Sequence, residues 1–386
     1  MARALEQAGQ LQRLVTRWTF SPGELRWARA LGLPGGWARR PLIPVDRRHL
    51  RRLPLADLRD RLNRWRGADP SSSLDTSFAT VDRSAAKLVD AGTAAVLARE
   101  DACLESFGKA ARVGRPCLYV LPTACASTVK QLVDFERGQF PEAFCAARLH
   151  ADFAPERLTR KQAELDAATQ VLCPSTFVRR SAEAAGVSAE RLTTLPLGAD
   201  TSWTPPTKPW REPVFLYVGN ISARKGAHRL IRAWKTLGAH RTHRLRFIGE
   251  LGLPGRFVAE YKSYFEYVPP KLREQLPPEY SRAQAFVFNA MADGFGHVFA
   301  EAMVCGTPVL ASRNCGAPDL VSDGVEGKLF DYGNDDQLTA ALDWALSHPA
   351  ELEEMGAAAR QSALRWGWRE FQAEFMGWIE TVLRER

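Results

Sequence analysis

No apolar run in this 386-residue chain approaches the roughly 18 to 20 residues that a membrane span needs. The first residues also lack the uninterrupted apolar stretch of a signal peptide. Both absences make the cytoplasm the expected location. The seven cysteines, at 103, 117, 125, 145, 173, 305 and 315, show no Cys-x-x-Cys pair and no metal-ligand spacing. Their odd number and scatter argue for reduced thiols and against a disulfide framework. No Asp-x-Asp unit sits at a strand end, so no metal site is expected. No histidine stands between His49 and His150. No internal repeat or low-complexity tract carries a functional reading.

What is present is ordinary in total and uneven in place. A composition of 45% hydrophobic and 25% charged residues is that of a folded protein, and the length is comfortable for two domains. The net charge of +8 belongs to one segment: residues 1 to 70 hold fifteen arginines against six acids, leaving the remainder close to neutral. The same segment carries Trp18, Phe20, Trp27, Leu31, Leu33 and Trp37. A basic stretch with interleaved aromatics suits an anionic membrane surface. It equally suits a solvated arginine-rich face with a few core tryptophans. Nucleic acid is not an expected partner, because no nucleic-acid-binding motif accompanies the charge.

Short apolar runs at 11–16, 93–98, 117–121, 170–173 and 192–197 read as strands. Helical patterns near 75–92, 100–112, 126–137, 154–168 and 175–186 alternate with them, which implies an α/β fold with a parallel sheet. Pro205, Pro206, Pro209 and Pro213 are too many for a helix or a central strand, so residues 199–213 read as a linker. The domains expected are 1–198 and 214–365, with a last helix from about 366 to 386.

The most informative stretch is AFVFNAMADGFGHVFAEAMVCGTPVLAS, residues 285 to 312. Ala285 to Phe288 reads as a buried strand, followed by a loop, Asp293-Gly294-Phe295-Gly296, whose glycines let backbone N–H groups approach a ligand. Val298, Phe299, Ala302 and Met303 give the next helix its apolar face, Gly306 fits its C-terminal end, and Pro308 stops it. In an open α/β sheet the ligand crevice lies beyond the carboxyl ends of the strands, where Asp293 falls. Glu301 follows eight residues later. Two acids at this spacing are ordinarily solvated, but Glu301 is embedded between Phe299-Ala300 and Ala302-Met303. A second signal is LYVGNISARKG, residues 216 to 226, where a strand ends in Gly219 and Ser222 is placed to cap a helix starting near Ala223. Arg224 and Lys225 would then sit in its first turn, against the macrodipole at about 0.3–1 kcal/mol per exposed charge. An anion bound there would reverse that cost, and two tolerated surface cations are the alternative.

These motifs resemble the signature of the retaining GT-B glycosyltransferases of family 4: an acid, Gly-Phe-Gly, a Glu eight residues after that acid, Ala-Met, then Gly-x-Pro-Val. VLCPSTFVRR (171–180), LPLGAD (195–200) and NCGAPDLVSDGVEGKLF (314–330) extend the likeness to residues 80–386, strongest from 170. The resemblance implies two Rossmann-like domains facing across a cleft, with the last helix crossing back to the first. It implies that the 214–365 domain binds the donor and that the 1–198 domain takes the acceptor.

By the same resemblance, Glu301 would accept two hydrogen bonds from ribose, and Asp293, where the family usually has Glu, would bind the donor sugar. Gly219, Gly294 and the N–H groups of Phe295 and Gly296 would line the donor site. Lys225 and Arg224 would stabilise the leaving diphosphate. Asn220 stands where the family usually has Arg, and His297 either reaches the sugar or is a local cap or packing residue. The implied chemistry is transfer with retention, without metal or cofactor, from a UDP- or GDP-sugar. The acceptor would be a saccharide or lipid-linked molecule of cell-surface polysaccharide or glycolipid synthesis. Family members often carry a His after the strand at 117–121, where this chain has Thr123, Ala124 and Cys125. The opening ARALEQAGQLQRLVT resembles the first helix and second strand, so the first strand is expected to be missing unless residues 20 to 55 rebuild that edge. A degenerate scaffold that binds donor without turnover, and a GT-B enzyme of another reaction, are the alternatives.

Overall fold

The computed structural model describes residues 1–17, 45–53, 62, 70–144, 153–203 and 212–385. The aromatic positions from Trp18 to Trp37, Cys145, and the linker prolines Pro205, Pro206 and Pro209 lie outside them. Among the described residues there are three sheets. β1 (Leu14–Thr16) and β2 (Leu50–Arg52) form a parallel pair, so the described part of residues 20–55 does supply a strand beside β1. A four-stranded sheet has the order β3 (Val96–Arg99), β4 (Cys117–Val120), β5 (Gln170–Cys173), β6 (Leu192–Thr194). The third sheet has six strands: β7 (Glu212–Val218), β8 (Arg244–Ile248), β9 (Glu266–Val268), β10 (Ala283–Phe288), β11 (Val309–Ser312) and β12 (Gly327–Phe330). Its order is β12-β11-β10-β7-β8-β9. β7 starts at Glu212, so Pro213 belongs to the strand and not to the linker. Among the described residues no helix is long and apolar enough to cross a membrane, and the six described cysteines are buried.

The chain forms two compact units. The first comprises Met1–Val120, Ala154–Val171 and Glu374–Arg386; the second comprises Leu121–Phe153 and Leu172–Ala373.

Within the second unit, the six-stranded sheet is buried on both faces, as a parallel sheet covered by helices must be. Strand alternation sends Phe215 and Tyr217 to one face, with Trp234, Phe247 and Val287. Leu216 and Val218 go to the other, with Phe286, Phe288, Phe299 and Met303. The residues that leave the carboxyl ends of β7, β8 and β10 are therefore anchored in two cores at once.

The first unit stores a buried acid. Glu164, on the helix Pro155–Ala167, is 1% exposed and accepts hydrogen bonds from Asp101 N at 2.8 Å and Tyr119 Oη at 3.3 Å. Burial pushes its carboxyl up to about 7, against the lowering pull of the Asp101 N–H. A folded-state pKa raised above the unfolded one contributes stability that is present below about 4.5 and lost as pH rises through about 7. Glu164→Gln keeps one oxygen to accept both bonds. It is expected to raise the melting temperature of this unit at pH 8 by several degrees and to leave it nearly unchanged at pH 4.5, checked by pH-dependent melts.

Candidate functional site

β7 ends at Val218, and the chain passes through Gly219 and Asn220 into a 3-10 turn, Ala223–Lys225. The α-helix begins only at Ala227. This corrects the expected start near Ala223, and Ser222 makes no side-chain cap hydrogen bond. The physical reason is Gly226: its φ of 68° interrupts the helical path, and a Cβ there would lie 1.7 Å from Asn289 O. Asn289 Nδ2 donates to Gly226 O at 3.1 Å. The turn is thus pinned to the end of β10, which carries Lys225 to Asp293.

Lys225 Nζ donates to Asp293 Oδ2, the side chains being 27% and 19% exposed. Asp293 Oδ1 accepts from Phe295 N at 3.1 Å, and Asp293 N donates to Asn314 O at 3.0 Å. A carboxylate of the chain itself already balances Lys225, so no outside anion is needed to account for that cation. Arg224 and Asn220 are exposed, and Asn220 O accepts from Tyr217 Oη at 2.9 Å.

Gly294 is gripped from two sides. Its O accepts from Ser175 Oγ at 2.6 Å, and a Cβ on it would lie 1.9 Å from Pro122 O and 3.2 Å from Thr123 Cα. The segment after β4, where the resemblance led to a missing histidine, therefore lays its backbone against the Asp293-Gly294 loop. Phe295 is buried, 5.3 Å from the Phe299 ring. The His297 ring lies 5.5 Å from Phe295 and 5.8 Å from Trp368. Loss of surrounding water lowers its pKa, Asp293 opposes that, and Arg273 adds to it, so the imidazole is neutral at pH 7. Gly296, not His297, is the residue preceding the helix His297–Val304.

Glu301 is 8% exposed, and burial pushes its carboxyl up while Arg273 and Tyr280 pull it down. Its Oε1 accepts from Arg273 Nε at 3.0 Å and its Oε2 from Tyr280 Oη at 3.0 Å. Each oxygen thus has a protein partner already, which the expectation of a carboxylate free for two ribose hydroxyls did not include. Beyond the ends of β7 and β8, Gly219, Asn220, Gly249, Glu250, Pro270 and Lys271 line an open cleft. Arg273, Tyr280, Glu250 and Lys271 were not among the residues singled out from the sequence. The signal that would have found two of them, Lys271 and Arg273, is the pair of double prolines, Pro269-Pro270 and Pro277-Pro278, framing a charged loop straight after a strand.

Residues 204–362 match the family described as Glycosyl transferases group 1. A GDP-mannose-dependent alpha-(1-6)-phosphatidylinositol monomannoside mannosyltransferase of Mycolicibacterium smegmatis is 31% identical over 223 residues, 49% of this chain and 56% of that protein. A D-inositol 3-phosphate glycosyltransferase of Nocardiopsis dassonvillei is 38% identical over 100 residues, 26% of this chain and 23% of that protein. The chain thus spans from about a quarter to just over half the length of these curated relatives. Among solved structures, a sucrose-phosphate synthase of Thermosynechococcus elongatus superposes with a TM-score of 0.67 and 19% identity, covering 100% of this chain and 92% of that one. HepE of Anabaena, in complex with UDP, gives a TM-score of 0.57 and 17% identity over 79% of this chain and 82% of its own. At these identities the likeness is one of fold, and the fold is GT-B.

Proposed function

We propose, on the footing that residues 204–362 belong to the glycosyl transferases group 1 family, that this protein moves a sugar from a nucleotide-sugar donor to a saccharide or lipid-linked acceptor. Transfer would proceed with retention, without a metal or cofactor, in cell-surface polysaccharide or glycolipid synthesis. The observation that carries this reading is the meeting of Lys225 and Asp293 at the carboxyl ends of β7 and β10, with Glu301 on the helix that follows. Both side chains are partly exposed at the strand ends, 27% and 19%, so a cation and an acceptor-only carboxylate stand side by side there and are open to solvent.

On donor binding, the diphosphate takes Lys225 as its counter-ion and Asp293 turns to the sugar hydroxyls. As the glycosidic bond breaks, its electron pair goes to the diphosphate oxygen, the acceptor hydroxyl oxygen bonds to the anomeric carbon and its proton passes to that departing diphosphate oxygen, while Lys225, with the exposed Arg224 beside it, stabilises the charge that builds there. Glu301 accepts from the ribose diol. UDP or GDP is the proposed nucleotide, supported by one relative named for GDP-mannose and one structural neighbour that binds UDP. The arginine-rich residues 1–70 would hold the protein to an anionic membrane surface beside a lipid-linked acceptor.

The test is a melt of the purified protein with UDP, GDP and ADP and their sugar conjugates, with Glu301→Ala in parallel. A ligand at about 100 times its Kd adds roughly 2.7 kcal/mol, a shift of several degrees. The expected result is a shift with one nucleotide class, absent in Glu301→Ala. A cooperative melt unmoved by all three nucleotides would sink the donor site.

A further inference from the structure

Arg273 is a surface arginine by exposure, 55% open, yet it makes three contacts with two separate parts of the second unit. Its Nε donates to Glu301 Oε1 at 3.0 Å, its Nη1 lies 3.2 Å from Asp200 Oδ2, and its guanidinium sits 5.1 Å from the centre of the Trp203 ring. Trp203 lies 6.2 Å from Tyr280, whose hydroxyl takes the other oxygen of Glu301 at 3.0 Å. A solvated loop arginine spends side-chain entropy on none of these contacts.

The loop that presents Arg273 is stiff. It is framed by Pro269-Pro270 and Pro277-Pro278, and Leu272 N donates across it to Gln275 Oε1 at 3.0 Å. The same loop gives Pro270 and Lys271 to the cleft beyond β7 and β8. One rigid segment therefore links that cleft to Glu301.

We propose that Arg273, together with Tyr280, is the positioning residue of the donor site, fixing the Glu301 carboxylate in the rotamer and charge state that receive the ribose diol. This rests on the reading of Glu301 as the ribose-binding carboxylate. The stoichiometry supports it: an ionised carboxylate offers about four acceptor positions, two per oxygen. Arg273 and Tyr280 take one on each oxygen, and one on each remains, matching two vicinal hydroxyls. A protonated carboxyl cannot accept both. The groups acting on Glu301 are Arg273 from the loop, Tyr280 from the helix Pro277–Arg282 and Asp200 behind Arg273; His297 stands one turn earlier on its own helix, Cys305 just past that helix's end, and Arg360 near Cys305. Arg273 is the cation in direct contact among them, so its removal leaves a buried carboxyl with one neutral donor.

The experiment is calorimetric titration of wild type, Arg273→Met and Arg273→Lys with UDP, GDP and ADP and their 2′,3′-dideoxy forms, at pH 6 and pH 8. Wild type is expected to bind one ribonucleotide and to bind its dideoxy form at least about tenfold more weakly. Arg273→Met should bind that ribonucleotide about tenfold more weakly at pH 8 and more weakly still at pH 6, with dideoxynucleotide affinity unchanged. Arg273→Lys, which keeps the charge without the planar fork, should bring the ratio between the two pH values back toward that of wild type. Equal weakening of ribo- and dideoxynucleotide in Arg273→Met would overturn the proposal in favour of a direct phosphate or base contact. No weakening at either pH would overturn it as well. Wild type that binds a nucleotide without distinguishing its dideoxy form would instead overturn the reading of Glu301 itself.

Discussion

Lys225→Ala is expected to lower the rate constant of sugar transfer by about 10²- to 10³-fold, the usual consequence of removing a preorganised charge from the place where transition-state charge builds. The donor diphosphate carries its charge before and after the bond breaks, but the charge on the leaving oxygen grows only during the step. The loss should therefore fall mainly on kcat, with a smaller rise in KM. The fold should tolerate the change. The Lys225–Asp293 pair is partly exposed, and pairs of that kind contribute about 1 kcal/mol or less. The turn itself is held by Gly226 against Asn289 and not by the lysine side chain. The decisive measurement is steady-state kinetics beside a melt: a variant that melts normally and retains more than a tenth of wild-type kcat would remove Lys225 from the chemistry.

The largest expected effect on stability comes from Arg229→Met. Arg229 is on the helix that begins directly after Gly226, and its side chain is 2% exposed. Its Nε and Nη2 donate to the two oxygens of Glu136 at 2.6 and 2.9 Å, with further bonds to Asp335 at 2.7 Å and Gln139 at 2.9 Å. Glu136 is fully buried on the helix Ala126–Gln139 and also accepts from His228 Nε2 at 2.6 Å and Tyr332 Oη at 2.8 Å. Burial pushes the Glu136 carboxyl up, but the bonds from His228 and Arg229 outweigh it and hold the carboxyl at about 2. Removing the arginine leaves a buried carboxylate short of its main partner, at a cost of about 3–5 kcal/mol. The melting temperature should fall on the order of 10 °C at pH 7.

The pH dependence gives the sign. A depressed carboxyl stabilises the wild type above the unfolded value of about 4.5, and that stability is lost as pH falls toward 2. The gap between wild type and Arg229→Met should therefore narrow as pH is lowered from 7 to 4, because protonating Glu136 relieves the variant. The double change Glu136→Leu with Arg229→Met should recover most of the loss. A single variant that melts within 2 °C of wild type at pH 7, against the ~10 °C expected, would show that the buried network adds little.

Local pattern in the sequence was enough for several elements of both larger sheets. β5 and β11 fall where the apolar runs put them, and the Asp293 loop lies at the carboxyl end of β10. Helix ends were read less well. The ordered helix at Pro70–Ala86 stops short of 92, and Ser222 looked like a cap because cap signals are local, whereas Gly226 breaks the helix through a contact with Asn289 that lies 63 residues away.

Sequence alone determined the α/β fold class, because strand and helix periodicities are short-range properties, and it singled out Asp293, Glu301 and Lys225 as candidates. Tertiary structure alone decided which charges are partnered. Lys225 is balanced by Asp293, Glu301 is held by Arg273 and Tyr280, and Arg229 is buried against Glu136. Each of these pairs joins residues from different elements. Whether a charge faces water or an opposite charge depends on how those elements pack, and no local pattern records that.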